Sequence, residues 1–273
     1  MPTRPPPGAA LERTVNAKAD RHFVTALARG LGVLLAFKSG EERLSNQELA
    51  TRCALPKSTV TRLTYTLTKL EFLHHLPDSG RYRLGLKALG LAGTTLSRLD
   101  VKDASSALLQ QLADDTQSMV SLAIRDELSM LYIENCHSRS AVLTLRLGVG
   151  SRVPLASSAV GRGWLAAAPA ALREALEERL QAADPHAWPK ARRGIRQAIA
   201  DLAAHGCVTS FGDWRPEING IAVPLALGPG LPLMVVNVGA AAHVIPAEAF
   251  MAQVRPRLIA TARSIEARYR AAG

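Results

Sequence analysis

A chain of 273 residues, 48% of them apolar, can bury a sizeable core without disulfide or metal staples. Its 33 Lys and Arg against 23 Asp and Glu give a formal charge of +10, and the surplus is uneven: residues 1–100 carry 15 basic and 8 acidic side chains, the remainder 18 and 15. That pattern points to an acidic polymer as partner of the N-terminal third. The cysteines at 53, 136 and 207 suit neither a disulfide framework nor a Cys-x-x-Cys metal site, and there is no signal-like core or membrane-length apolar run, so a cytoplasmic protein without metal, cofactor or membrane partner is expected.

Residues 1–21, polar and Pro-rich, read as a mobile tail. Between Phe23 and Phe37, Leu27, Leu31, Leu34 and Leu35 form a helical stripe, weakened by Gly30 and Gly32. Ser45-Asn46-Gln47-Glu48 is a capping box that opens a short helix. Cys53-Ala54-Leu55 is a turn, and Pro56 suits the first position of a second helix running to about Leu70. That helix sets Val60, Leu63, Leu67 and Leu70 on one face. Short helix, tight turn and second helix make a helix-turn-helix. Phe72–Leu76 and Arg81–Leu84 flank the turn cluster Pro77-Asp78-Ser79-Gly80 and predict a hairpin, the wing of a winged helix. Leu86, Leu89, Gly93 and Leu96 recur at helical steps within Leu84–Leu99, on a linker helix that either pairs with its own copy or packs on its own domain.

From Val101 helices and strands alternate. Asp103–Asp115 reads as a helix, and Ser118–Arg125, Ser129–Glu134 and Val142–Leu147 as strands, followed by a loop over Gly148–Pro154. Ser158–Ala168, Ala170–Ala182 and Arg192–His205 read as helices, and Cys207–Trp214, Gly220–Leu225 and Leu231–Val238 as strands. A last helix runs from Pro246 to about Arg270. The class is α+β, with one antiparallel sheet flanked by helices. The expected division is a tail over 1–21, a winged helix-turn-helix over 22–85, a linker helix over 86–100 and a second domain over 101–273.

With the Val60–Leu70 stripe buried, Ser58, Thr61, Arg62, Tyr65 and Lys69 point outward, Lys57 lies to the side and Thr59 nearer the buried edge. Small hydroxyl residues allow close approach to a groove floor. Arg62 can fork onto guanine O6 and N7, while Lys57 and Lys69 suit phosphates, which position without reading sequence. Arg81 and Arg83 on the wing are phosphate or minor-groove candidates, and Ser45 and Gln47 at the first helix start complete the candidate contacts to double-stranded DNA.

These residues resemble the IclR family of bacterial transcriptional regulators, from about residue 22 to the C-terminus. Leu55-Pro-Lys-Ser-Thr-Val-Thr-Arg-Leu63 with Tyr65-Thr-Leu is similar to the family's recognition helix, and Gly80-Arg-Tyr-Arg-Leu-Gly85 to its wing. Val149-Gly-Ser-Arg-Val-Pro-Leu155 with Gly161-Arg162, and Trp214-Arg-Pro with Ile221-Ala-Val-Pro224, are similar to its effector domain. Phe23-Val-Thr-Ala-Leu-Ala-Arg-Gly-Leu31 resembles the branch that controls breakdown of protocatechuate, 4-hydroxybenzoate and related aromatic acids. Two positions depart from the pattern: Ala54, where a left-handed turn residue is usually Gly, and Gly212 in a region often doubly acidic.

The resemblance implies a GAF-like ligand-binding domain, dimers or tetramers on palindromic operators, a small organic acid as effector and RNA polymerase as a candidate partner. Carried over by motif, the effector lining is Ser157, Ser158, Ala159, Val160, Asp213, Ala222 and Asn237. Ser157 and Ser158 at a helix start either bind a carboxylate or simply cap the helix. Asn237, amid Val235, Val236 and Val238, needs a partner, either ligand or protein. An aromatic or short carboxylate ligand is expected. Two other functions stay open: a second domain that only oligomerises, and, more remotely, an enzyme built on Asp213, His137, His205, His243 or the cysteines, for which no hydrolase elbow, His-Glu-x-x-His pair or phosphate loop is present.

Overall fold

The structure, a computed structural model, describes residues 21–37, 41–96, 101–139, 147–228 and 231–272. The expected tail, up to residue 20, and all but Leu147 of the expected strand Val142–Leu147 lie outside the described residues. The chain divides into two units, Met1–Arg98 and Leu99–Gly273.

The first unit runs α1 (Thr25–Leu35), β1 (Leu44–Ser45), α2 (Asn46–Cys53), α3 (Lys57–Lys69), β2 (Leu73–Leu76), β3 (Arg81–Leu84) and α4 (Leu86–Leu96). Val33, Leu44, Leu49, Ala50, Val60 and Leu73 form its core. The capping box is present: the Ser45 hydroxyl accepts the Glu48 N–H at 3.2 Å, and the Glu48 carboxylate accepts the Ser45 N–H at 2.7 Å. The wing hairpin pairs Leu73 with Leu84 and Leu76 with Arg81, and β1 adds a short third strand beside β3, giving the order β1-β3-β2. Gly85 closes this wing tightly. Its N–H donates to Phe72 O at 2.8 Å, and a Cβ there would stand 2.0 Å from Glu71 O.

Two expectations about α3 are corrected. Pro56 is the N-cap, with ψ 141°, and the helix begins at Lys57. The buried face is also rotated: Thr64 is fully buried beside Val60, whereas Leu70 is 56% exposed. A buried threonine is tolerable because its hydroxyl donates to Val60 O at 3.0 Å within the helix's own backbone. Leu70 falls at the C-cap, past the last turn that packs on the core.

The second unit runs α5 (Val101–Thr116), β4 (Met119–Asp126), β5 (Ser129–His137), β6 (Arg152–Pro154), α6 (Ala159–Ala167), α7 (Ala170–Ala183), α8 (Trp188–His205), β7 (Val208–Phe211), β8 (Ile218–Leu225), β9 (Met234–Ala241), the single turn α9 (Ala247–Ala249) and α10 (Arg255–Ala272). Six strands form one antiparallel sheet in the order β6-β5-β4-β9-β8-β7. Helices α5 and α10 pack together on the sheet, and α6, backed by α8, packs on it through the core of Met119, Ala123, Trp164, Ala222 and Val235. The expected mixed α+β architecture is what forms.

The differences have local causes. The loop Gly148–Pro154 contains the edge strand β6, which pairs with Ser129–Leu131. The strand expected to reach Trp214 stops at Phe211, because Gly212 turns the chain with φ 71°. The last helix is interrupted by a π turn at Phe250–Val254, where the Arg255 N–H reaches back to Phe250 O. Pro256 follows directly, and a proline inside a helix displaces the carbonyl four residues earlier, which a wider turn accommodates.

Ala54 adopts φ 51° and ψ 42° at the end of α2. A left-handed alanine costs about 1–2 kcal/mol that glycine avoids, partly offset by glycine's freer unfolded chain. Ala54→Gly is expected to raise stability by about 1 kcal/mol in denaturant unfolding. A loss of stability would show that the turn is not held left-handed.

Candidate nucleic-acid interface and ligand cavity

The α3 face away from the core carries Lys57, Ser58, Thr61, Arg62, Tyr65 and Lys69, all exposed, with Thr59 half-buried at its margin. Lys69 sits over the Tyr65 ring at 5.6 Å, which orients both side chains at the C-terminal end. Asn46 on α2 was not singled out by sequence, yet it ties the two helices together. Its amide nitrogen donates to the Thr61 hydroxyl at 2.6 Å, and its carbonyl accepts from Thr64 at 3.4 Å. Gln47 is exposed beside it, while Ser45 is committed to the capping box.

The wing arginines separate into two roles. Arg81 lies 3.5 Å from Glu48 and 3.5 Å from Arg43 O, so it braces the wing to the start of α2. Arg83 is exposed and stands opposite His74 in the hairpin register. Exposed cations thus stand at Lys57, Arg62 and Lys69 on the hydroxyl-rich α3 and at Arg83 on the wing.

In the second unit, Ser158, Ala159 and Asn237 line one cavity. The Ser158 hydroxyl caps α6, accepting the Gly161 N–H at 3.1 Å and donating to Pro154 O at 2.6 Å. The other expected lining residues do not themselves border that cavity. Ser157 offers its carbonyl to the Ser210 hydroxyl at 2.8 Å. Val160 and Ala222 are buried in the packing around the site. Asp213 faces an outer groove, where Arg162 Nη1 donates to it at 2.6 Å and Lys190 Nζ lies at 3.5 Å.

The cavity gains walls that sequence reasoning missed, chiefly Tyr132, Ser210 and Trp214. Asn237 pairs with Ser121 on one side and Ala222 on the other, so its amide projects from the middle of the sheet. Its nitrogen lies 3.4 Å from the Tyr132 hydroxyl, a long bond that leaves the amide weakly held. Burial pushes the Tyr132 phenol well above its ordinary range, so it stays a neutral donor and acceptor. A polar strip continues from there: Ser121 donates to Asn135 at 2.7 Å, and Asn135 donates to Leu147 O at 2.8 Å. The free volume inside is about 20 Å³, close to what one water occupies.

Cys136 and His137 are successive residues of β5 and project to opposite faces. Burial, with Glu134 and Asp114 nearby, pushes the Cys136 thiol up to about 11, which makes it a poor nucleophile. No helix among the described residues is long and apolar enough to cross a membrane.

A capped helix-turn-helix with a wing, followed by a helix-flanked antiparallel sheet with a small, mainly apolar cavity that holds a few polar groups, defines a DNA-binding regulator with a separate sensing domain. Residues 26–77 match the IclR helix-turn-helix domain, and residues 93–267 match the C-terminal domain of IclR-type bacterial transcriptional regulators. The chain belongs to the IclR family. The structure of an IclR family transcriptional regulator from Brucella abortus is 38% identical, with a TM-score of 0.79 over 98% of this chain and 99% of that one. The Pca regulon regulatory protein of Pseudomonas putida is 26% identical over 96% of this chain and 90% of its own, in keeping with the branch that the N-terminal motif resembles. An IclR homolog from Microbacterium hydrocarbonoxydans, solved with 4-hydroxybenzoate, shares the fold at 23% identity, with a TM-score of 0.70 over 90% of this chain and 99% of that one.

Proposed function

We propose that this protein is a cytoplasmic regulator, not an enzyme, whose hold on its operator is set by a small aromatic acid bound between α6 and the sheet. The observation that carries the reading is Asn237, a nearly buried amide on an otherwise apolar strand, weakly held and opposite the capped start of α6. A carboxylate suits the amides of that helix start, and a ring hydroxyl suits Tyr132 and Asn237. The Pca regulon relative and the 4-hydroxybenzoate complex of a fold neighbour support the same ligand class.

An aromatic ring does not fit in about 20 Å³, so the ligand requires a wider cavity. A ligand that binds only the wider state shifts the population toward it, which is the coupling a switch needs. Calorimetric titration with 4-hydroxybenzoate, protocatechuate and related acids tests this. At least one should bind, and Asn237→Leu should weaken it about tenfold or more. No heat from any acid would leave the domain an oligomerisation module.

On DNA, the proposed contacts are Ser45, Gln47, Lys57, Ser58, Thr59, Thr61, Arg62, Tyr65, Lys69 and Arg83, with Arg81 acting mainly as a brace. The protein is proposed to act as a dimer or tetramer, with RNA polymerase as a downstream partner. The exposed apolar face of α4, with Leu86 83% and Leu89 68% exposed, supports self-pairing. A two-fold pair of reading helices suits half-sites about 34 Å apart. In binding assays across salt, Arg62→Ala is expected to relax base specificity by roughly 1–3 kcal/mol at one position. Lys57→Ala should weaken all sequences alike and flatten the salt dependence by about one ion. Wild-type behaviour of both variants would mean that α3 does not lie in the groove.

A further inference from the structure

Outside the effector cavity, a groove of about 420 Å³ runs between α8, the edge strand β7 and the loop at Asp213. That volume falls within the range of small-molecule sites, about 300–1,000 Å³, and far exceeds the inner cavity. Its floor is Arg162, whose side chain is only 5% exposed. Arg162 Nε donates to Ala156 O at 3.1 Å and Nη1 to Asp213 at 2.6 Å. The remaining Nη2 lies against Gly194, where a Cβ would stand 2.2 Å away, so the absence of a side chain at 194 is what lets the guanidinium edge reach the groove.

Lys190 and Arg193 of α8 line the same groove, Lys190 Nζ 3.5 Å from the Asp213 carboxylate that Arg162 holds. Further along the same face of α8, Gln197 donates to Asp201 at 2.8 Å, and Thr209 and Phe211 of β7 form the opposite wall. Three cations therefore face two carboxylates. Asp213 is shared by Arg162 and Lys190, and Asp201 is engaged by Gln197, so positive charge is left over, chiefly on Arg193. The lining combines this surplus with amide, hydroxyl and carboxylate groups suited to the hydroxyls of a ligand.

We propose that this groove is a second binding site, for a small hydroxylated anion. Its anionic head, carboxylate or phosphate, pairs with Lys190 and Arg193 above the Arg162 edge. Its hydroxyls bond to Gln197, Asp201 and Thr209. The site stands independently of the aromatic-acid reading, since it shares no lining residue with the inner cavity. It is nonetheless close to that cavity: Arg162 belongs to α6, and Asp213 precedes Trp214. Occupancy of one site is therefore expected to alter affinity at the other, reciprocally.

The test is calorimetric titration of the full chain with citrate, with glucose 6-phosphate and with glucose as the uncharged control. Heat from citrate or glucose 6-phosphate but not from glucose is expected, and the choice between the two identifies the head group. Lys190→Ala combined with Arg193→Ala, both surface positions, should weaken that binding about tenfold or more. Asn237→Leu, in the inner cavity, should leave it unchanged. The proposal is overturned if neither anion binds at millimolar concentration, if glucose binds equally, if the double variant binds as wild type, or if Asn237→Leu abolishes binding.

Discussion

Between α2 and α3 the chain reverses through Ala54, a residue held left-handed in spite of its Cβ, while Asn46 bonds across to Thr61 and Thr64. These two constraints fix how the second helix stands on the first. Everything proposed for DNA depends on them, because a helix that rocks on its neighbour cannot hold Arg62 in line with a base edge. The capping box adds a third hold, and through Glu48 it also reaches Arg81 and so the wing. Helix, turn and wing are thereby one polar network laid over a small apolar core. The strain at Ala54 is tolerable because that network, with the packing of Leu49, Val60 and Leu73, determines the turn.

The second unit applies the opposite principle. Its sheet is largely apolar, and on the α6 side Ser121, Asn135, Tyr132 and Asn237 form a polar strip, with Ser210 on β7. Burying such groups is costly unless they are bonded, and the longest bond in the strip belongs to Asn237. An amide held so loosely has bonding capacity left for a ligand. The Arg162–Asp213 pair lies behind the same wall and joins α6 to the loop that carries Trp214, so the two sides of the cavity are linked by charge as well as by packing.

Much of this could be read from the residues. The capping box, the reading helix and the hairpin followed from spacing, since each is a local motif with a local cause. The resemblance marked Ala54 as a departure that left the turn geometry open, and the structure holds it left-handed. The rotation of α3, which buries Thr64 and exposes Leu70, could not be seen, because a hydrophobic stripe says nothing about a threonine that satisfies its own hydroxyl. In the sheet, parity failed at a bulge. The pairing shifts between Leu122 and Ala123, leaving Ile133 without a partner, so Tyr132 and Asn135 share a face in defiance of simple alternation. Asp213 followed its motif but found two cations nearby, a tertiary arrangement that no spacing reveals.

The most direct test of the α2–α3 clamp is Asn46→Ala, measured as the ratio of operator to non-specific DNA affinity at fixed salt. Asn46 ties α3 to α2 while the lysines proposed to contact phosphate are untouched, so operator affinity should fall several-fold, the scale of about one side-chain hydrogen bond, with non-specific affinity unchanged. An unaltered ratio would show that the helix keeps its register without the clamp.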